Sequence, residues 1–154
     1  MPNRAEFARL HEQATSSPWE WSGVMPGALR SDHLRQNCMT YLKSHTVGDS
    51  DIDGAEMIVA ELIGNVVRHA LGSALFHIDW HAMRPVLLVL DAGPGFTKPP
   101  VTTLDDPYAE SGRGLALVSA LGTCVEWGNR TGGGGFVRAT LPLRRSPERK
   151  GTQP

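Results

Sequence analysis

The hydrophobic pattern of this chain changes period several times between Trp19 and Leu143, and each change restricts what the backbone can do. Trp19–Met25 alternates, with Trp19, Trp21 and Met25 on one side, the period of a strand. Pro26-Gly27 turns the chain. Residues 29–45 then bring Leu34, Cys38, Tyr41 and Leu42 to helical spacing. Gly48 breaks the pattern, and Asp51 or Asp53 can cap a second helix that runs to about Ala70, before Gly72. Its apolar stripe is Ile52, Ala55, Val59, Leu62, Ile63 and Val66. Ala74–Ala82 alternates again, Arg84-Pro85 turns, and the apolar run Val86–Leu90 predicts a central strand. After a segment rich in Gly, Pro and Asp (Asp91–Gly112), Leu115–Leu121 predicts a short helix. Thr123–Asn129 and Phe136–Leu143 predict two strands joined by a glycine-rich hairpin turn from Thr131.

The order β, α, α, β, β, loop, α, β, β, with strands in consecutive pairs, predicts an α+β two-layer sandwich. Its sheet should be mixed or mostly antiparallel, with the helices on one face. The 154 residues suffice for one domain. That domain is expected over 19–143, between a flexible segment at 1–18 and a disordered tail at 144–154, both without periodic apolar residues. A formal net charge of −1 leaves no electrostatic footprint for direct nucleic-acid binding. The charged first residues lack a signal-peptide core, and Val86–Leu90 is far too short to cross a bilayer. A cytoplasmic protein is the expectation. Cys38 and Cys124 stand in no metal-binding spacing and are expected to be small core residues.

Three groups of residues can carry chemistry. Glu61, Asn65 and His69 recur every four residues, and each step advances about 40° around a helix. They form a polar ridge beside the apolar stripe, suited to lining a cleft, with Asn65 a neutral oxygen ligand for a hard cation. Alone they read first as ordinary surface residues of an amphipathic helix. Asp91, Gly93 and Gly95 follow the buried strand: an acid that can accept from an exocyclic amine, and glycines that let a flat base approach the backbone. Alone they read equally as a turn. Gly112, Arg113, Gly114 and Leu115 open the short helix, where free N–H groups and a guanidinium suit an anion. A plain helix-start loop is the ordinary reading there. The segment Asp91–Gly112, which includes the second group and reaches the third, is about twenty residues long, a length associated with lids and binding loops.

In order and spacing the three groups together resemble the GHKL (Bergerat) ATPase superfamily. Glu61-Leu-Ile-Gly-Asn65-Val-Val-Arg-His69-Ala resembles the N box, Asp91-Ala-Gly93-Pro-Gly95 the G1 box, and Gly112-Arg-Gly114-Leu115 the G2 box. More narrowly, the chain is similar to SpoIIAB/RsbW-type anti-sigma factors in single-domain form, through Pro26-Gly27, "ESGRGLALVSALG", "VEWG" and "GGGFVRATLPL" over residues 19–143.

The resemblance implies an ATP-binding serine/threonine kinase with the Bergerat fold. Asn65 would hold Mg²⁺ on the ATP phosphates, and Glu61 would be the catalytic base. Asp91 would recognise the adenine amine, with Gly93 and Gly95 shaping the base pocket. Gly112, Arg113, Gly114 and Leu115 would contact the phosphates, and His69 matches the N box. The implied partners are a sigma factor and an STAS-domain anti-anti-sigma antagonist, and relatives of this kind are commonly homodimers. Two departures stand out. Ala116 replaces a frequent glycine, and Phe136 stands where the last strand often carries a Thr near the adenine. They keep open a second function, an ATP-dependent partner-binding module without turnover. A detached histidine-kinase catalytic domain is the less expected alternative, because residues 1–18 are too short to supply a dimerising helix bundle.

Overall fold

The computed structural model describes residues 19–24, 28–48, 50–69, 72–80, 83–96, 120 and 124–146. In chain order the elements are β1 (Trp19–Val24), α1 (Ala28–His45), α2 (Ile52–His69), β2 (Ser73–Asp79), β3 (Val86–Asp91), β4 (Val125–Asn129) and β5 (Gly135–Thr140). The strands form one sheet in the order β1-β2-β3-β5-β4. Every pairing is antiparallel, so the mixed variant of the expected sheet does not occur among these strands. The α+β architecture is as expected. The short helix expected over Leu115–Leu121 lies outside the described residues, apart from Ala120, which is helical.

Local chemistry explains the helix starts and the packing. Asp51 caps α2: its Oδ1 accepts the Gly54 N–H at 2.9 Å, satisfying one of the donors that a helix start leaves open. Residue 54 is glycine with good reason, since a Cβ there would collide with the Asp51 carboxylate. From α2, Ala55, Ile58, Val59, Leu62, Ile63 and Val66 are buried, and from α1, Leu34, Cys38, Met39 and Leu42. They pack on Phe76, Ile78, Leu87, Val89, Val137 and Ala139 of the sheet. Burying each large aliphatic side chain contributes roughly 1.5–3 kcal/mol, so this layer interface is the main source of stability. Arg35 Nη1 and Glu56 Oε1, 2.7 Å apart, add a half-exposed tie between the two helices.

Register decides which residues face the helices. Trp21 lies opposite Phe76, and Val137 opposite both Val89 and Trp127, so these residues share the helix side. Both N-terminal tryptophans pack against the core: Trp19 donates from Nε1 to Asn37 Oδ1 at 2.8 Å, and Trp21 meets Phe76 edge-on at 5.9 Å. The opposite face carries a smaller apolar cluster of Leu75, Leu88, Leu90 and Phe136.

Two expectations need correction. Cys124 is exposed, immediately before β4, while Cys38 is buried as expected. Desolvation pushes the Cys38 thiol up to about 12 from an ordinary 9.0. Arg144–Ser146, assigned to the tail by composition, are bound into the fold. Arg145 bridges antiparallel to Thr46, its N–H donates to the Met83 carbonyl at 2.7 Å, and its guanidinium lies over the Trp80 ring. Backbone pairing of this kind leaves no periodic apolar trace for a sequence pattern to catch. Residues 147–154 and 1–18 lie outside the described residues.

Candidate functional site

Asp91 ends β3 and is paired with Ala74, which turns its side chain toward the helix layer at one end of the sheet. Its Oδ1 accepts the Gly93 N–H at 2.9 Å, the local turn that aspartate favours. The Gly135 N–H reaches the same oxygen at 3.4 Å. One carboxylate oxygen is thereby held by backbone donors. Oδ2 makes no hydrogen bond among the described residues, and a Cβ on Gly135 would stand 3.2 Å from it. A fixed carboxylate with one oxygen presented beside bare glycine backbone can accept a hydrogen bond from a planar amine.

The segment following Asp91 is clasped to the β4–β5 hairpin. Arg130 Nη1 donates to the Asp91 main-chain carbonyl at 2.9 Å. Asn129 Oδ1 accepts the Phe96 N–H at 2.6 Å, and Asn129 Nδ2 donates to the Phe96 carbonyl at 2.9 Å. The Phe96 ring meets Trp127 edge-on at 5.3 Å. Glycine is required where the two backbones approach. Gly95 has φ +77°, and a Cβ there would come 2.6 Å from Asn129 Oδ1. Gly134 has φ +90°, and a Cβ there would collide with the Asp91 carbonyl.

Asn129, Arg130, Gly134 and Gly135 were not among the sequence-predicted site residues. The signal present was the run from Gly132 to Gly135, which a hairpin turn explains equally well. The comparison of Phe136 with a base-contacting threonine is also corrected. Phe136 pairs with Leu90 and belongs to the outer face, and Gly135 is the residue beside Asp91.

On α2, Glu61 and Asn65 form a second cluster with Arg68, one helical turn on. Arg68 Nη2 donates to Asn65 Oδ1 at 2.8 Å and lies 3.8 Å from Glu61 Oε2. Glu61 and Asn65 are half-buried and Arg68 is exposed, so the ridge lies at the rim of the core stripe. Helix α2 packs against β3, the strand that ends in Asp91. No hydrogen bond joins the two clusters among the described residues. His69 closes α2, and its side chain lies outside the described residues, as do Gly112, Arg113, Gly114 and Leu115.

The feature that fits a bound nucleotide is Asp91 Oδ2 beside the bare Gly135 backbone, an acceptor for the exocyclic amine of a base. Gly95 and Gly134 instead let the protein's own backbones pack closely. Among the described residues no group of three or more His, Cys, Asp and Glu side chains could hold a metal ion. The Asn65 side-chain oxygen accepts from Arg68 Nη2.

Fold and site thus define an α+β domain with a fixed acid at a sheet end and a polar ridge on the helix that packs against the same strand. Residues 27–141 match the family described as the histidine kinase-like ATPase domain. The chain belongs to that family, an ATP-binding domain of the GHKL type. No curated protein matches it. Among solved structures, it is similar to the full-length ShkA protein crystallised with AMPPNP, at 18% identity and a TM-score of 0.46. The match covers 91% of this chain and 34% of that one, so the chain spans about a third of that protein's length. No helix among the described residues is long and apolar enough to cross a membrane.

Proposed function

We propose that this domain is a serine/threonine kinase that uses Mg·ATP to phosphorylate an STAS-type anti-anti-sigma protein, and that it sequesters a sigma factor in alternation. The observation that carries the reading is the Asp91 carboxylate, fixed through Oδ1 by two backbone N–H groups and open at Oδ2. In this reading Oδ2 accepts from the adenine amine, and Gly93 and Gly95 shape the loop that the base approaches. Asn65 would hold Mg²⁺, which would supply positive charge to offset that of the phosphates.

Glu61 accepts the proton of the attacking serine or threonine hydroxyl. The hydroxyl oxygen forms the new bond to the γ-phosphorus, and the bond to the β–γ bridging oxygen breaks, releasing ADP. Such a transfer needs positioning and charge neutralisation more than covalent help from the protein. Gly112, Arg113, Gly114 and Leu115 are assigned to the phosphates on the motif alone. The partners and a homodimeric state rest on the same resemblance. The test is transfer of labelled γ-phosphate to candidate STAS-domain proteins, with Glu61→Ala as control. Transfer in the wild type and its loss in the variant are expected; an ATP-loaded wild type that modifies no such partner ends the kinase reading.

A second reading is favoured by one contact. Arg68 already donates to Asn65 Oδ1, the oxygen Mg²⁺ requires. In this reading ATP binding organises the domain for partner capture without turnover. A domain of this kind keeps its regulatory effect in Glu61→Ala, whereas a kinase loses it.

A further inference from the structure

The two hydrogen bonds between the Asn129 side chain and the Phe96 backbone tie together segments 33 residues apart in sequence. They use both functions of one carboxamide, its oxygen accepting the N–H and its nitrogen donating to the carbonyl. Among side chains of this length, asparagine alone presents an acceptor and an N–H donor side by side in this way. The pair imitates one rung of a β-ladder at a place where the backbone after Asp91 has left the sheet.

Its surroundings are matched to it. Gly95, immediately before the clasp, adopts φ +77° and has no Cβ to meet the Asn129 oxygen. Phe96, immediately held by it, packs edge-on against Trp127 of β4. At the other end of the same short segment, the Ala92 N–H donates to the Ser73 carbonyl at 3.0 Å and Arg130 holds the Asp91 carbonyl. The span from Asp91 to Phe96 is thus pinned at both ends. Only the pin at Phe96 depends on a side chain with a mixed donor–acceptor pattern.

From this geometry we infer that Asn129 is a positioning residue for base selection: by holding Phe96 it fixes the 91–96 loop against the hairpin, and so fixes where Asp91 Oδ2 meets the purine 6-substituent. The inference rests on the proposed adenine-reading role of Asp91. Asn129 itself touches the loop backbone and is not assigned a contact to the base.

The test compares ATP with ITP, which carries a carbonyl in place of the 6-amino group. Dissociation constants of both are measured by titration for wild type, Asn129→Ala, Asn129→Ser and Asn129→Asp, and each unliganded melting temperature is recorded. One hydrogen bond to a charged group corresponds to a preference of roughly 10–100-fold for ATP in the wild type. In Asn129→Ala and Asn129→Ser the preference should fall to about twofold or less, because a loop that wanders by an ångström no longer places Oδ2. Asn129→Asp keeps an acceptor for the Phe96 N–H and loses the donor, so its preference should lie between. A merely structural role would weaken both nucleotides alike and keep the ratio. A ratio unchanged in the variants that remain folded overturns the inference while leaving the adenine-reading role of Asp91 intact. A wild type that binds both nucleotides equally, or neither, removes that role and the inference with it.

Discussion

Arg130, at the start of the β4–β5 turn, donates from Nη1 to the main-chain carbonyl of Asp91, 39 residues earlier in the chain, at 2.9 Å. Its own backbone closes the turn, with the Arg130 N–H on the Gly134 carbonyl at 2.9 Å and the Gly133 N–H on the Arg130 carbonyl at 3.2 Å. Arg130 is one of two buried polar or charged side chains among the described residues, at 8% exposure. Arg130→Ala removes a charged donor from a partly buried carbonyl and should cost about 1.5–3 kcal/mol of stability. Arg130→Lys should recover only part of it, since an ammonium on a flexible stem does not reproduce the planar fork. The midpoint of urea unfolding reads both variants, and an Arg130→Ala midpoint equal to wild type would refute the assignment.

The hairpin glycines separate conformational cost from steric cost. Gly132 has φ +91° and open space around the position a Cβ would take, whereas Gly134 has φ +90° with the Asp91 carbonyl in the way. Gly132→Ala should therefore cost about 1–2 kcal/mol, the conformational penalty alone. Gly134→Ala carries the same penalty and must also push the Asp91 loop aside. It should be the more destabilised of the two by thermal unfolding, and equal melting temperatures would contradict the close approach.

Asp91→Ala tests the pocket. A ligand at about 100 times its dissociation constant adds roughly 2.7 kcal/mol to stability. For a domain of this size, saturating Mg·ATP should raise the wild-type melting temperature by about 5–10 °C. The shift should vanish in Asp91→Ala. A variant that keeps the full shift would place adenine recognition elsewhere.

The two cysteines should differ in reactivity and in their effect on alkaline stability. Burial raises the Cys38 thiol from 9.0 to about 12, while Cys124 is exposed. In the native protein at pH 8 a thiol reagent should modify Cys124 first and Cys38 only on unfolding, as peptide mapping can show. Between pH 9 and about 12 the unfolded state gives up the Cys38 proton while the folded state keeps it. Stability contributed by the neutral buried thiol is thus complete below pH 9 and declines as pH rises through that window. Tyr41, also raised by burial, acts in the same direction at higher pH. Cys38→Ala should flatten the decline in denaturant midpoint from pH 8 to 10, and a slope identical to wild type would show that Cys38 does not contribute to it.

The strands and helices were legible because their causes are local. The period of two in β1 and β2, the helical stripe of α2, the Asp51 cap and the glycine-rich turn each depend on residues a few positions apart. The order of Glu61, Asn65, Asp91, Gly93 and Gly95 was legible too, and it pointed to the family that residues 27–141 match. What the linear pattern could not settle is which residues meet across strands. Side chains alternate between the faces of a sheet, so a register one residue different would have put Phe136 beside Asp91. The actual pairing of Phe136 with Leu90 sends its ring to the outer face and leaves Gly135 at the carboxylate. Asn129 and Arg130 read as turn residues in the sequence because their partners, Phe96 and Asp91, are 33 and 39 positions away. Folding the hairpin onto the end of β3 brings those groups within hydrogen-bond range, and that closure is a property of the tertiary structure alone.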